Sequence, residues 1–158
     1  MEQETANGAV TDGPLHRTPS PGPDAIRHLA EHILGAGAPA IVIGDDVARG
    51  RAGAAVAALA ETIGAPIWLE VIHQHRALPS DHANLRGSLP ADAARIAAAF
   101  GEADLVLLIG GPFFEEVWYA DGAPFPPRAT VLQIEESPER LARNYALTAG
   151  LVGGWRRP

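Results

Sequence analysis

Several residue groups in this sequence have types and spacings that could carry chemistry. His73, His75 and His82 fall close together beside Asp81, and imidazoles with a carboxylate are donors that zinc accepts. An H-x-H pair in a stretch without regular period lacks the helix or strand that usually fixes such ligands, so the spacing argues against a metal. Glu115-Glu116 could supply a general acid and base, although adjacent loop carboxylates are usually only solvated. Ser80 and Ser88 lie in no G-x-S-x-G context, which leaves no nucleophile elbow. A dinucleotide site needs glycines that bring backbone amides onto a pyrophosphate. The turn Gly44-Asp45-Asp46-Val47-Ala48-Arg49-Gly50 departs from G-x-G-x-x-G, and its carboxylates would repel a phosphate that Arg49 and Arg51 only partly attract. Glu70 stands where an acid could bind ribose hydroxyls. Gly44, Gly110 and Glu135 would form the crevice for a nucleotide if the chain were a freestanding nucleotide-binding domain.

The bulk properties narrow these options. The 158 residues carry 19 acidic and 12 basic side chains, a formal charge of −7, with no lysine and no cysteine. Such a balance offers no electrostatic footprint for nucleic acid or an anionic membrane. The lack of cysteine removes disulfides, thiolate metal sites and thiol nucleophiles, and suits a cytoplasmic protein. No segment has the roughly 18 uninterrupted apolar residues that a membrane span requires. The length is that of one domain.

The elements that must position these residues alternate along the chain. Residues 1–23 carry Pro14, Pro19, Pro21 and Pro23 with little periodic apolar content, the composition of a disordered tail or linker. From Asp24 as N-cap, Ile26, Leu29, Ala30, Ile33 and Leu34 follow helical spacing that Gly35 can end. Ala40–Ile43 reads as a strand, Arg51–Ile63 as a helix closed by Gly64, and Pro66–Glu70 as the next strand. Residues 71–90 show no regular period. A third helix spans Ala91–Phe100, the strand Asp104–Ile109 follows, and Ala129–Ile134 is another strand. Ser137-Pro138 is the Ncap-N1 arrangement of a short helix, and Leu147–Val152 forms a last strand. Residues 155–158 are a tail. This order predicts a doubly wound, Rossmann-like α/β fold with a parallel sheet of about five to six strands over residues 24–154.

The stretch LVLLIGGPFFEEVWYADGAPFP, residues 105–126, joins a fully apolar strand to a loop bearing Phe113, Phe114, Trp118, Tyr119 and Phe125. So many rings in one loop suggest a docking surface, and with it self-association through Phe113, Phe114 and Trp118.

Five segments together, PAIVIGDDVAR, APIWLE, DHANLRGSLP, ADLVLLIGGPFFEEVWY and VLQIEESPERLARNY, resemble the central domain of thiamine-diphosphate-dependent 2-oxo acid enzymes, most closely the benzoylformate decarboxylase and acetolactate synthase branch. The resemblance covers residues 24–154. It implies a largely structural module that works beside a pyrimidine-binding and a diphosphate-binding domain, with thiamine diphosphate and magnesium (Mg2+) belonging to the full-length enzyme and FAD or ADP bound in some branches. The diphosphate motif of the family, Gly-Asp-Gly followed by a distant asparagine, has no match here, because Gly44-Asp45-Asp46 lacks the second glycine. The chain alone is therefore expected to bind no cofactor productively. The resemblance also points to His82, in the segment HANLRG, as a residue that would approach the active site of the full enzyme and shuttle protons there.

Overall fold

The computed structural model describes residues 13–16, 20–115 and 123–154. Seven strands form one sheet: β1 (Leu15–His16), β2 (Pro39–Ile43), β3 (Ile67–Leu69), β4 (Leu85–Ser88), β5 (Leu105–Ile109), β6 (Thr130–Glu135) and β7 (Ala149–Val152). Their spatial order is β1-β7-β6-β5-β2-β3-β4, and every pairing is parallel. The unbroken apolar runs explain the centre. β2 and β5 are buried at every position and pair in register from Pro39 opposite Leu105 to Ile43 opposite Ile109. A strand without a polar face must be covered on both sides.

Helices supply that cover. α1 (Pro23–Gly35) and α3 (Gly53–Ile63) pack on one face, where Leu29, Ile33, Val56 and Ala60 meet Ile41, Ile43, Leu105, Leu107 and Leu132. On the other face α4 (Ala93–Phe100) places Ile96 and Phe100 against Ala40, Val42, Val106 and Leu108. Alternate residues of each strand thus serve opposite cores, and each fully buried Ile or Leu contributes roughly 1.5–3 kcal/mol. The layers are those of the expected doubly wound fold.

Several local features differ from the sequence-based reading. α1 begins one residue before the expected N-cap: Gly22 occupies that position and Pro23 takes N1, where its missing N–H costs nothing. The turn after β2 is itself a short helix, α2 (Asp45–Arg49), separated from α3 by Arg51 at φ 55°. α4 is capped by Asp92, whose carboxylate accepts from the Arg95 N–H at 2.9 Å. The supposedly aperiodic residues 71–90 contain β4, an edge strand with a register shift opposite Ile67/Trp68 and Gly87 at φ 101°. Leu15–His16, in the segment expected to lack regular structure, adds β1 alongside β7. Among the described residues no helix follows Ser137. The Gln133 amide takes the Arg140 carbonyl at 3.3 Å and the Ala142 N–H at 3.0 Å, drawing off backbone groups that a helix would use, and Ala142 turns to φ 58°.

A tight backbone approach lies where β2 and β5 end. A Cβ on Gly44 would sit 2.2 Å from the Gly110 carbonyl oxygen, so Gly44→Ala must push the two strand exits apart. We expect a loss of about 1–3 kcal/mol, read as a lower urea midpoint. Gly35→Ala, which meets nothing within 4 Å, should leave the midpoint unchanged or raise it.

Candidate functional site

From β2 the chain moves toward β3 on one side, and from β5 toward β6 on the other. The gap between β2 and β5 is therefore the topological switch point, outside whose carboxyl ends open α/β sheets place ligands. Gly44 and Gly110 face each other there, and Glu135 ends the adjacent β6. Three of the backbone donors that could hold a phosphate there are already used. Gly44 N–H donates to the Ile109 carbonyl at 2.9 Å, Asp46 N–H to the Gly110 carbonyl at 3.2 Å, and Gly110 N–H to the Ile134 carbonyl at 3.0 Å. Gly110 makes this closure possible by adopting φ 71°.

Charge at the switch point is settled internally. Asp46 is buried; its Oδ1 accepts from Arg49 at 2.9 Å and its Oδ2 from Arg140 at 2.8 Å. The same Arg140 nitrogen donates to the Gly111 carbonyl at 2.9 Å and lies 4.0 Å from Glu135. One guanidinium therefore ties the ends of β2, β5 and β6. Glu135 is fully buried, with Oε1 accepting from the Glu136 N–H at 2.9 Å and Oε2 from the Gln133 amide at 3.4 Å. Burial pushes its carboxyl up to about 7, against the pull of backbone donors and Arg140. Arg140 and Gln133 carried no signal of their own: a single arginine after a strand-ending acid pair is ordinary in sequence, and its partner Asp46 lies 94 residues away.

Glu70, at the end of β3, is also buried, and burial raises its carboxyl to about 7. It faces the α4 layer, where its Oε1 accepts from the Phe114 N–H at 3.0 Å. The phenylalanines expected on a docking surface lie here instead. Phe113, Phe114 and Phe125 are 4%, 3% and 8% exposed, because the turn after β5 folds their rings back onto the sheet. Phe114 meets Phe125 edge-on at 5.7 Å and Tyr145 at 5.8 Å, and Asn144 donates to the Phe113 carbonyl at 3.0 Å. Trp118, Tyr119 and Glu116 lie outside the described residues, and Glu115 pairs with Arg143 at 3.1 Å.

The histidines are not gathered. His73 and His75 come after β3 at the carboxyl edge: His73 Nδ1 lies 2.9 Å from the Glu70 carbonyl, and His75 lies 3.4 Å from Asp45. Burial raises the Asp45 carboxyl, but the N–H groups of His75 and Gln74 outweigh it and hold the group below its ordinary value. His82 precedes β4 at the opposite, amino edge, where its Nδ1 accepts from the Asn84 N–H at 3.2 Å and its Nε2 lies 3.4 Å from Glu61 of α3. Asn84 in turn donates to the Ala65 carbonyl at 2.8 Å, so this geometry gives His82 a part in holding the entry to β4. Among the described residues no three His, Asp or Glu side chains form a metal cluster. An open groove of about 770 Å³ runs along the α3 face, lined by Arg49, Arg51, Val56, Leu59, Ile109 and Ile134; Glu70 and Glu135 face the other layer and do not serve it.

The profile of the family described as thiamine pyrophosphate enzyme, central domain, matches residues 26–157. Benzoylformate decarboxylase of Pseudomonas aeruginosa is 32% identical over 123 residues, covering 78% of this chain and 23% of that protein. Among solved structures, the thiamine diphosphate-dependent 4-hydroxybenzoylformate decarboxylase of Rhodococcus jostii superposes with a TM-score of 0.77 at 30% identity, over 87% of this chain and 26% of that one. The benzoylformate decarboxylase of Polynucleobacter necessarius gives 0.76 at 27% identity, over 82% and 24%. The chain thus spans about a quarter of the length of these relatives. With its parallel sheet and closed switch point, it belongs to the thiamine pyrophosphate enzyme central-domain family.

Proposed function

We propose that this chain acts as the non-catalytic central domain of a thiamine-diphosphate-dependent 2-oxo acid decarboxylase of the benzoylformate type, working in the cytoplasm beside pyrimidine-binding and diphosphate-binding domains. The observation that carries the reading is the switch point, where Arg140, Asp46 and Glu135 satisfy one another and backbone carbonyls take the amides. The residues present do not fit thiamine diphosphate. Asp46 is spent on two arginines, and Asp45 on the N–H groups of Gln74 and His75. Neither carboxylate is free to ligate a magnesium ion, so cofactor and metal belong to the other domains. The same closure gives no support to a freestanding FAD or ADP site at Gly44, Gly110 and Glu135. Docking to those domains falls to surfaces such as exposed Ile26 and Leu34 on α1 and Ile72 after β3. Phe113 and Phe114, two of the three rings that suggested self-association, are buried, and the third, Trp118, lies outside the described residues.

Titration calorimetry of the chain with thiamine diphosphate and magnesium should give no heat of binding, and a micromolar dissociation constant would sink the proposal. Arg140→Met should destabilise the fold by about 2–3 kcal/mol in urea unfolding, because Asp46 and Glu135 lose a shared cation; the guanidinium is 34% exposed, which keeps the cost below that of a fully buried pair. A cost under roughly 0.5 kcal/mol, the level of an ordinary surface change, would show that the crevice does not depend on this ion network.

A further inference from the structure

Glu70 is held in an unusual way. The residue is 5% exposed, its Oε1 accepts the Phe114 N–H, and its Oε2 is buried with no hydrogen-bond partner. Two positions earlier, on the same face of β3, the Trp68 indole N–H is likewise buried without a partner. Phe114 adopts φ 58°, a left-handed backbone that a bulky residue keeps only where its surroundings impose it. The surroundings here are the Glu70 carboxyl on its N–H and the rings of Phe113, Phe125 and Tyr145, at 6.1, 5.7 and 5.8 Å.

We propose that Glu70 is a proton-operated latch on the Pro112–Glu115 turn: the neutral acid lets the turn close over it, and the carboxylate drives the turn off. The backbone N–H groups of Phe114 and Val71 favour the carboxylate, but burial outweighs them, and the charged groups around it favour the neutral acid. Glu115, on the turn itself, adds negative charge. Arg143 is engaged with Glu115 at 3.1 Å, and the His73 ring binds the Glu70 backbone carbonyl, not its carboxyl. The Tyr145 phenol is neutral over the working range, its own ionisation pushed up first by burial and then by Glu70. Among the described residues no ion pair reaches Glu70.

Linkage fixes the sign. Burial raises the closed-state carboxyl from 4.5 to about 7, so the closed form holds its proton over a range in which an open, hydrated Glu70 has lost it. Closure is therefore fully favoured below about pH 4.5 and is lost progressively as pH rises through 7, by up to about two orders of magnitude in the closed-to-open ratio. Opening would uncover Phe113 and Phe114 at the carboxyl edge, giving an apolar surface whose exposure depends on pH.

Amide hydrogen exchange of Phe113, Phe114 and Glu115 in the full 158-residue chain, normalised to intrinsic rates, tests this. Protection should be at least tenfold higher at pH 5.5 than at 8.5, with a midpoint near 7, and Glu70→Gln should stay protected and flat across the range. Flat protection in the natural sequence, or the same pH dependence in Glu70→Gln, overturns the proposal. Should Glu70→Gln not fold, Glu115→Gln leaves the latch in place and removes the adjacent charge. Its midpoint should move to lower pH, and one that stays or rises overturns the proposal equally.

Discussion

A single guanidinium organises the carboxyl edge of this domain. Arg140 reaches from the segment after β6 to Asp46 beyond β2 and to the Gly111 carbonyl beyond β5, with Glu135 at 4.0 Å. Two buried carboxylates would otherwise have to stay protonated or unfold their surroundings. A permanently charged side chain suits the task, because one Arg140 nitrogen reaches the Asp46 carboxylate and the Gly111 carbonyl together and keeps its charge whatever the pH. The anchored arginine also sets the path of the chain beyond it. The segment 141–147 is laid over β6 so that Asn144 binds Phe113 and Tyr145 closes on Phe114 and Phe125. That ring cluster in turn presses the Phe114 N–H onto Glu70. Ion network, turn, rings and buried acid form one connected layer.

The switch point of an α/β sheet is an electropositive notch that most such folds leave for a ligand. Here the notch is kept and its occupant comes from the same chain. A carboxylate on α2 takes the place of a phosphate, and carbonyls of β5 absorb the amides. A domain of this kind keeps the stiffness of a nucleotide-binding sheet without depending on a nucleotide. That suits a module whose relatives carry three further quarters of chain around it.

Much of the fold was legible because burial on both faces leaves a clear mark: PAIVI and LVLLI contain no polar position and fall at the centre of the sheet. Residues with mixed environments were harder to read. β4 alternates partly buried and exposed positions around a positive-φ glycine, and so looks like loop. Ser137-Pro138 carries a sound helix start, but the Gln133 side chain competes for the backbone, and such competition is invisible without the third dimension. The phenylalanines of the aromatic loop were hard to place for a related reason. Composition reveals how many rings a turn carries, whereas a left-handed Phe114 goes with the burial of Phe113 and Phe114. At the carboxyl edge, Gly44, Gly110 and Glu135 stand at the ends of the neighbouring strands β2, β5 and β6, while Arg140, which reaches that place, answers to partners distant in sequence.

The pairing of β1 with β7 has a mechanical consequence. The two strands are parallel neighbours at one edge, Leu15 opposite Gly150 and His16 opposite Leu151, so the backbone enters the sheet at its amino edge and leaves β7 at its carboxyl edge. Tension applied through residues 13 and 154 would pull these strands in opposite directions along their length. The slanted hydrogen bonds of a parallel pair would then be loaded together in shear, not peeled one at a time. Load along the strand axis would thus fall first on this two-residue pairing.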